Sequence, residues 1–309
     1  MNCIEYPVGV KTSTPNNVGS FRCFRSRLLA DIVDAIWDLD IPDRDVAKTL
    51  AIKCAPGTSF LLMAQYRAPV LVRQADRNLP SKCATQIQSS AVTLQATGEL
   101  GFIIVALKPD AAGRIVDGPL RQFANANIHL GAVFSRGDVS TCDEMLAGAR
   151  NSSERIATVE AFLLRRLRPQ RDSLACRAAS YLRSDPTLSL LRLASMLSVS
   201  VRHLSRMFNA TFGMSPKRFG RLARIEKIVA ERRNGLSWAE IACACDLSDQ
   251  AHLVREFKDI VGEVPTEFFA RQMRADIGRM AEANFIVQQT VAHEPPAPAG
   301  AFHLQGRRS

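Results

Sequence analysis

Arg202, Ser205, Arg206 and Asn209 stand at the i, i+3, i+4, i+7 spacing that gathers side chains along one stripe of a helix, and all four can donate hydrogen bonds. An arginine guanidinium grips the O6 and N7 edge of guanine through two parallel bonds, which discriminates against other bases by about 1–3 kcal/mol. Because a helix fits the major groove of B-DNA, the chemistry on offer is the reading of base edges. Taken alone, the two arginines suit a solvated helix face just as well. Their setting tips the balance. Val201, Leu204 and Phe208 follow i, i+3, i+7 and should face inward, with Ser200 as N-cap. Leu190, Leu193, Ala194 and Leu197 make a short amphipathic helix before them and Ser198-Val199 a turn, so the unit reads as a helix-turn-helix.

The framework recurs at an offset of 49 residues: His203, Leu204, Arg206, Phe208, Gly213, Pro216 and Phe219 return as His252, Leu253, Arg255, Phe257, Gly262, Pro265 and Phe268. Seven identities in a 17-position window, where chance supplies about one, indicate a duplicated supersecondary unit. Gly213 suits a left-handed C-cap, and Ser215-Pro216 supplies an N-cap and first-turn proline for a long helix over 216–233, with Phe219, Leu222, Ile225 and Val229 on one side. A rigid helix would hold the two copies at constant separation. Arg218, Arg221, Arg224, Lys227, Arg232 and Arg233 decorate it, where phosphate contact and a solvated face both fit.

In the second copy Ile241, Ala242 and Leu247 supply the first helix, Asp249 caps the second, and Leu253 and Phe257 face inward. The offset maps the outward stripe onto Ala251, Val254, Arg255 and Lys258, with Gln250 and His252 at its edges. Ala251 or Val254 could meet a thymine methyl, but hydrogen-bonding readout is poorer here. The candidate base contacts are therefore Arg202, Ser205, Arg206, Asn209, Gln250, Ala251 and Arg255, and the candidate phosphate contacts are His203, Lys217, Arg218, His252 and Lys258. Neither histidine has a cysteine, acid or second histidine at ligand spacing, so helix packing or phosphate contact is favoured over a metal.

Charge separates the copies. The chain carries a net charge of +10, but residues 171–235 hold 13 Lys/Arg against 4 Asp/Glu, whereas residues 236–270 hold 2 against 7. A basic domain fits an acidic polymer, here double-stranded DNA. Glu256, Asp259, Glu263 and Glu267 would repel DNA if they faced it, and are expected to face solvent or RNA polymerase.

With 309 residues, 47% of them apolar and 23% charged, the chain reads as an ordinary two-domain globular protein. No run of eighteen uncharged apolar residues or signal-like core is found, which points to a cytoplasmic, nucleoid-associated protein without a membrane partner. The eight cysteines form no CxxC pair, and Cys243 and Cys245 point about 200° apart on a helix, so free thiols rather than a metal site are expected.

The first half shows short β-favouring runs at Thr49–Cys54, Thr58–Tyr66, Val70–Gln74, Ala91–Ala96 and Phe102–Leu107, separated by turn formers. The fold class is thus α+β: a β-rich, barrel-like domain over 1–150, a linker helix over 151–170, an all-α double helix-turn-helix domain over 171–283 and a disordered tail over 284–309. The linker helix is broadly apolar, which suits either a homodimer seam or packing on the β domain. Trp37, Phe60, Tyr66, Phe102 and Phe134 line either a pocket for a small-molecule effector or the core. No catalytic set, phosphate-cradling glycine loop, metal cluster or cofactor motif is found. The alternatives are an enzyme, or a thiol sensor using Cys3, Cys23, Cys54 or Cys83, with a DNA-binding module appended.

The stretch Asp249-Gln250-Ala251-His252-Leu253-Val254-Arg255-Glu256-Phe257-Lys258, followed by Gly262 and Pro265, resembles the signature of the AraC family of bacterial transcription regulators, and the resemblance runs from about Leu174 to Phe269. It implies two recognition helices entering successive major-groove segments on one face of the duplex. By position it carries base contact onto Arg202, Ser205 and Arg206, and onto Gln250, Ala251 and Arg255. Asp246-Leu247 stands where that family has a glycine and an aromatic, and Val264 where it has Ser or Thr. The first 150 residues resemble the β-rich sensor or dimerisation domains that precede this module in many members. With His129 as their single histidine, a metal-binding version is not expected.

Overall fold

A computed structural model describes residues 3–6, 20–44, 47, 50–54, 56–67, 72–74, 77–78, 82–86, 92–96, 98–169, 173–274 and 285–289. One antiparallel sheet joins β1 (Cys3–Tyr6), β2 (Ser20–Ser26), β3 (Val33–Ile41), β5 (Phe60–Gln65), β8 (Lys82–Gln86), β10 (Leu100–Leu107) and β11 (Ile128–His129) in the order β1-β2-β3-β10-β5-β8-β11. A second comprises β4 (Leu50–Cys54), β6 (Val72–Gln74), β7 (Arg77–Asn78), β9 (Val92–Ala96) and β12 (Phe285–Gln289), in the order β12-β4-β9-β6-β7. The five runs read from sequence are strands to within two residues at each end.

β3 escaped the pattern because Asp34, Asp38 and Asp40 interrupt its apolar run. Asp38 is fully buried, which is tolerable only because the partners it needs come from far along the chain. Arg155 reaches its Oδ2 at 2.8 Å through Nη2 and 3.0 Å through Nε, the Tyr66 hydroxyl donates to Oδ1 at 2.7 Å, and the Ser152 hydroxyl donates to Oδ2. This cluster pins α2 (Ser152–Arg166) to the sheet, with α1 (Arg136–Gly148) packed beside it. α1 went unread within the β-rich stretch since only Val139 and Leu146 of its side chains are buried, too few to draw an apolar stripe. The linker helix turns Ile156, Val159, Phe162 and Leu163 inward, so most of the face considered for a dimer seam is buried within the chain.

The expectation of an unfolded tail from residue 284 is corrected over Phe285–Gln289, which form β12 against β4. The edge of β4 supplies the backbone partners that a short isolated segment lacks. The rest of the tail lies outside the described residues.

Beyond residue 173 the chain is helical: α3 (Leu174–Ser184), α4 (Leu190–Met196), α5 (Val201–Phe212), α6 (Pro216–Arg233), α7 (Trp238–Ala244), α8 (Gln250–Val261) and α9 (Pro265–Arg274). Gly213 and Gly262 end α5 and α8 at φ 70° and 84°, the left-handed C-cap that favours glycine. Apolar side chains of both domains form one cluster that runs from Phe24 to Phe268. The short turn Leu120–Phe123 packs on α5, so a Cβ at Gly213 would lie 3.2 Å from Ala124 Cβ.

Two polar contacts complete this joint. Glu226 of α6 accepts from Thr58 N at 2.7 Å and Thr58 Oγ1 at 2.8 Å, and Arg183 donates to Asp34 Oδ2 at 2.7 Å. Burial lifts the Glu226 carboxyl above its ordinary range, against the opposing pull of Arg183 and the Thr58 donors. A raised folded-state value means that this group favours the fold at low pH and that the contribution is lost as pH rises through that value. Glu226→Gln should therefore stabilise the chain more at pH 8 than at pH 5, measured by urea midpoints. An equal effect at both values would contradict the assignment.

Candidate nucleic-acid interface

Side-chain caps define each recognition helix. Ser200 Oγ accepts from His203 N at 3.1 Å, and Asp249 Oδ1 accepts from His252 N at 2.6 Å, which holds the Asp249 carboxyl below its usual range. With the cap fixed, the 3.6-residue period sets which side chains face out. Leu204 and Phe208 are buried while Arg202, Arg206 and Asn209 are exposed and Ser205 is half-buried. In the second copy Leu253 and Phe257 are buried and Gln250, Ala251, Val254, Arg255 and Lys258 exposed. Each set of base-contact candidates thus lies together on the open side of its helix.

The phosphate candidates divide. Lys217 and Arg218 are exposed in the first turn of α6, where Ser215 Oγ accepts from Arg218 N at 3.3 Å. His203 is half-buried, with Nδ1 at 3.1 Å from Arg206 Nη2. Arginine has donors only, so Nδ1 accepts and the ring proton sits on Nε2. His252 is also half-buried, with Nδ1 3.2 Å from Ser248 Oγ. The two histidines therefore orient neighbours within their own turns.

The copies also differ in a way the 49-residue offset conceals. Val199 N donates to Ala194 O in the first turn and Leu247 N donates to Ala242 O in the second, both at an offset of 48, while the caps Ser200 and Asp249 are 49 apart. The second turn therefore holds one extra residue, Ser248. Ser198 and Asp246 occupy equivalent left-handed positions at φ 55° and 54°. Asp246 thus accepts the conformation for which a glycine is usual, as a short polar side chain can. Val264 precedes Pro265 without interrupting α9, whose Phe268 is buried.

Sequence reasoning missed where the basic residues of α6 go. Arg221 bonds Glu256 and Asp259, Lys227 Nζ donates to Ala244 O at 2.7 Å, and Arg232 Nη1 donates to Leu236 O at 2.8 Å. These cations hold protein groups on the second copy. The expectation for the four acids is corrected at two: Glu263 is buried, and Glu256 is turned toward Arg221 because α6 packs beside α8. Asp259 and Glu267 are exposed.

The five aromatics considered for an effector pocket do not converge. Phe134 borders a cavity of about 40 Å³ under α1 and α2, with Leu62, Ile103, Val105, Val139 and Phe162, and Asp143 as its charged member. Trp37 pairs with Ile104, so it and Phe102 lie on the face of the sheet opposite to Ile103 and Val105. Phe60 packs edge-on against Phe123 at 5.0 Å, and Tyr66 serves Asp38. A separate polar groove of about 630 Å³ runs between the domains beside Asp34, Lys108, Asp110, Arg183, Glu226 and Lys227.

Residues 193–271 match a family model described as a helix-turn-helix domain, of the AraC type. No curated protein matches the chain. Among solved structures, the C-terminal domain of AraT, a response regulator from Geobacillus stearothermophilus, is 26% identical and covers 32% of this chain and 86% of its own, at a TM-score of 0.31. A DNA-binding transcriptional dual regulator from Escherichia coli K-12 is 19% identical over 33% of this chain and 95% of its own, at 0.30. Apo ToxT from Vibrio cholerae is 12% identical over 76% of this chain and 96% of its own, at 0.45. Residues 193–271 are thus a helix-turn-helix domain of the AraC type, which supports a DNA-binding role in transcription regulation. No helix among the described residues is long and apolar enough to cross a membrane.

The thiols differ in exposure. Burial pushes Cys83 up to about 12, and burial with the Asp143 charge pushes Cys142 up to about 11, whereas Cys243 is exposed. Cys23 is buried, and the side chains of Cys3 and Cys54 lie outside the described residues. Under native conditions at pH 7, maleimide should modify Cys243 well before Cys83 or Cys142, read by mass spectrometry. Equal labelling of the three would overturn this ranking.

Proposed function

We propose that the chain reads two successive major-groove segments of double-stranded DNA, one with α5 and one with α8. The observation that carries this reading is the pair of capped helices, each with its donor-bearing stripe outward, joined through the single helix α6. Arg202 and Arg206 are the strongest readers, since both are exposed arginines on one stripe. Ser205, Asn209, Gln250, Ala251 and Arg255 complete the base-edge set, and Lys217, Arg218 and Lys258 grip phosphate.

Each of Arg202→Ala and Arg206→Ala should weaken operator binding by about 1–3 kcal/mol and relax preference at one base position. Removing Lys217 or Arg218 should instead weaken all sequences alike and reduce the salt slope by about one. Mapping of bound sites followed by titration at two salt concentrations checks both. Unchanged base preference in both arginine variants would reject the assignment.

Control through the N-terminal domain is the second part of the reading, supported by its direct attachment to α5 and α6. A small-molecule effector or a partner that shifts this domain would move the first recognition helix with it. Asp259 and Glu267 are the exposed acids through which RNA polymerase would be met, and a homodimer would use surfaces away from the DNA stripes. Thr58→Val removes the hydroxyl given to Glu226 without touching either stripe, so it should change operator affinity or promoter output several-fold. If both stayed at the unsubstituted level, control through this joint would be refuted.

A further inference from the structure

The charge split between the copies has an internal use. Arg221 on α6 donates through Nε to Glu256 Oε1 at 2.9 Å and through Nη2 to Glu256 Oε2 at 3.0 Å, and Nη2 also reaches Asp259 Oδ2 at 2.5 Å. The Glu256 side chain is 10% exposed and that of Arg221 33%, so the Glu256 arm closes largely out of solvent, where charge-assisted bonds are least screened, while Asp259, 65% exposed, supplies an arm open to solvent. Glu256 and Asp259 are one helical turn apart on a flank of α8. A single planar guanidinium bonded to both fixes the height of α8 along α6 and its rotation about its own axis. Arg255, the base-contact candidate, is the residue next to Glu256 and lies about 100° round that axis, so its direction is set by the same fork.

The helix α5 carries no acidic residue through which a cation of α6 could hold it in the same way. Instead α5 is locked on α6 by aromatic packing, with Phe208 5.2 Å and Phe212 5.8 Å from Phe219, and by the turn Leu120–Phe123 of the N-terminal domain. In the second copy Phe257 packs on Phe268 at 5.2 Å, which ties α8 to α9 and not to α6. Two other cations of α6 hold α7 and its approach: Lys227 takes its final carbonyl, and Arg232 takes Leu236 O and lies 4.7 Å over the Trp238 ring, while Arg224 adds a longer contact to Glu256 of α8, at 4.0 Å.

We propose that Arg221 is a positioning residue for the second recognition helix, and that its fork on Glu256 and Asp259 makes the separation between the two half-sites strict. This rests on the reading that α5 and α8 both enter DNA. Its test keeps the two apart. The full chain, Arg221→Ala and the charge-reversed pair Arg221→Glu with Glu256→Arg would each be used to select binding sites from a random DNA pool.

The unsubstituted chain should enrich two sub-motifs at one spacing. Arg221→Ala should keep the sub-motif of the first copy while the second spreads over neighbouring spacings, its discrimination against a one-base-pair insertion falling about five-fold. The reversed pair should restore the single spacing, a readout that a merely stabilising contact would not move. Should Arg221→Ala fail to fold, Glu256→Gln with Asp259→Asn carries the same expectation with shape preserved. A variant that kept the single spacing and lost affinity uniformly would overturn the positioning role. Failure of the unsubstituted chain to enrich any motif would instead bring down the DNA reading itself.

Discussion

Burial of one helix on three sides is the constraint on which the rest of the molecule depends. α6 turns Phe219, Leu222, Ile225, Ile228 and Val229 into the core, touches α3 and α5 of the first copy and α7 and α8 of the second, and offers Glu226 to the N-terminal domain. A helix so enclosed cannot bend or slide without opening contacts to all three neighbours, because packed interiors tolerate little loss of volume. The two recognition helices therefore share a frame, and the N-terminal domain is bolted to the same frame.

The means of attachment differ, and the difference follows from composition. The first copy can afford many outward cations because its hold on α6 is aromatic and needs no charge. In the second copy, acids on α8 meet cations on α6, so the contrast of basic and acidic stretches in the chain is partly an internal pairing. Charge summed along a sequence cannot distinguish such a pairing from a surface offered to a partner. Glu256 shows how the distinction is lost when only the residue type is known.

In the N-terminal domain the comparable device is the Asp38 cluster. A carboxylate with no exposure is held by Arg155, Tyr66 and Ser152, and Arg155 lies 4.4 Å over the Tyr66 ring. Breaking one member would strand a buried charge, which costs far more than the intact cluster contributes. It therefore serves to fix where α2 sits, and α2 leads toward the DNA-binding domain through Arg168, which donates to the Val116 carbonyl at 2.7 Å.

Sequence alone determined the local features: the caps Ser200, Ser215 and Asp249, the left-handed ends at Gly213 and Gly262, the inward and outward stripes of α5 and α8, and the extent of α6. Each depends on groups within a few residues, so residue type and spacing suffice. Only the tertiary structure decided the rest. The one-residue insertion at Ser248 is invisible until hydrogen bonds show which turn positions correspond. The strand β3 needed Arg155 before its aspartates made sense, and the strand at Phe285–Gln289 needed the edge of β4. The roles of Arg221, Lys227 and Arg232 depend on partners 17 or more residues away, or on which side of α6 the second copy packs. Long-range contacts are set by how whole elements pack against one another, and no short window of sequence carries that information.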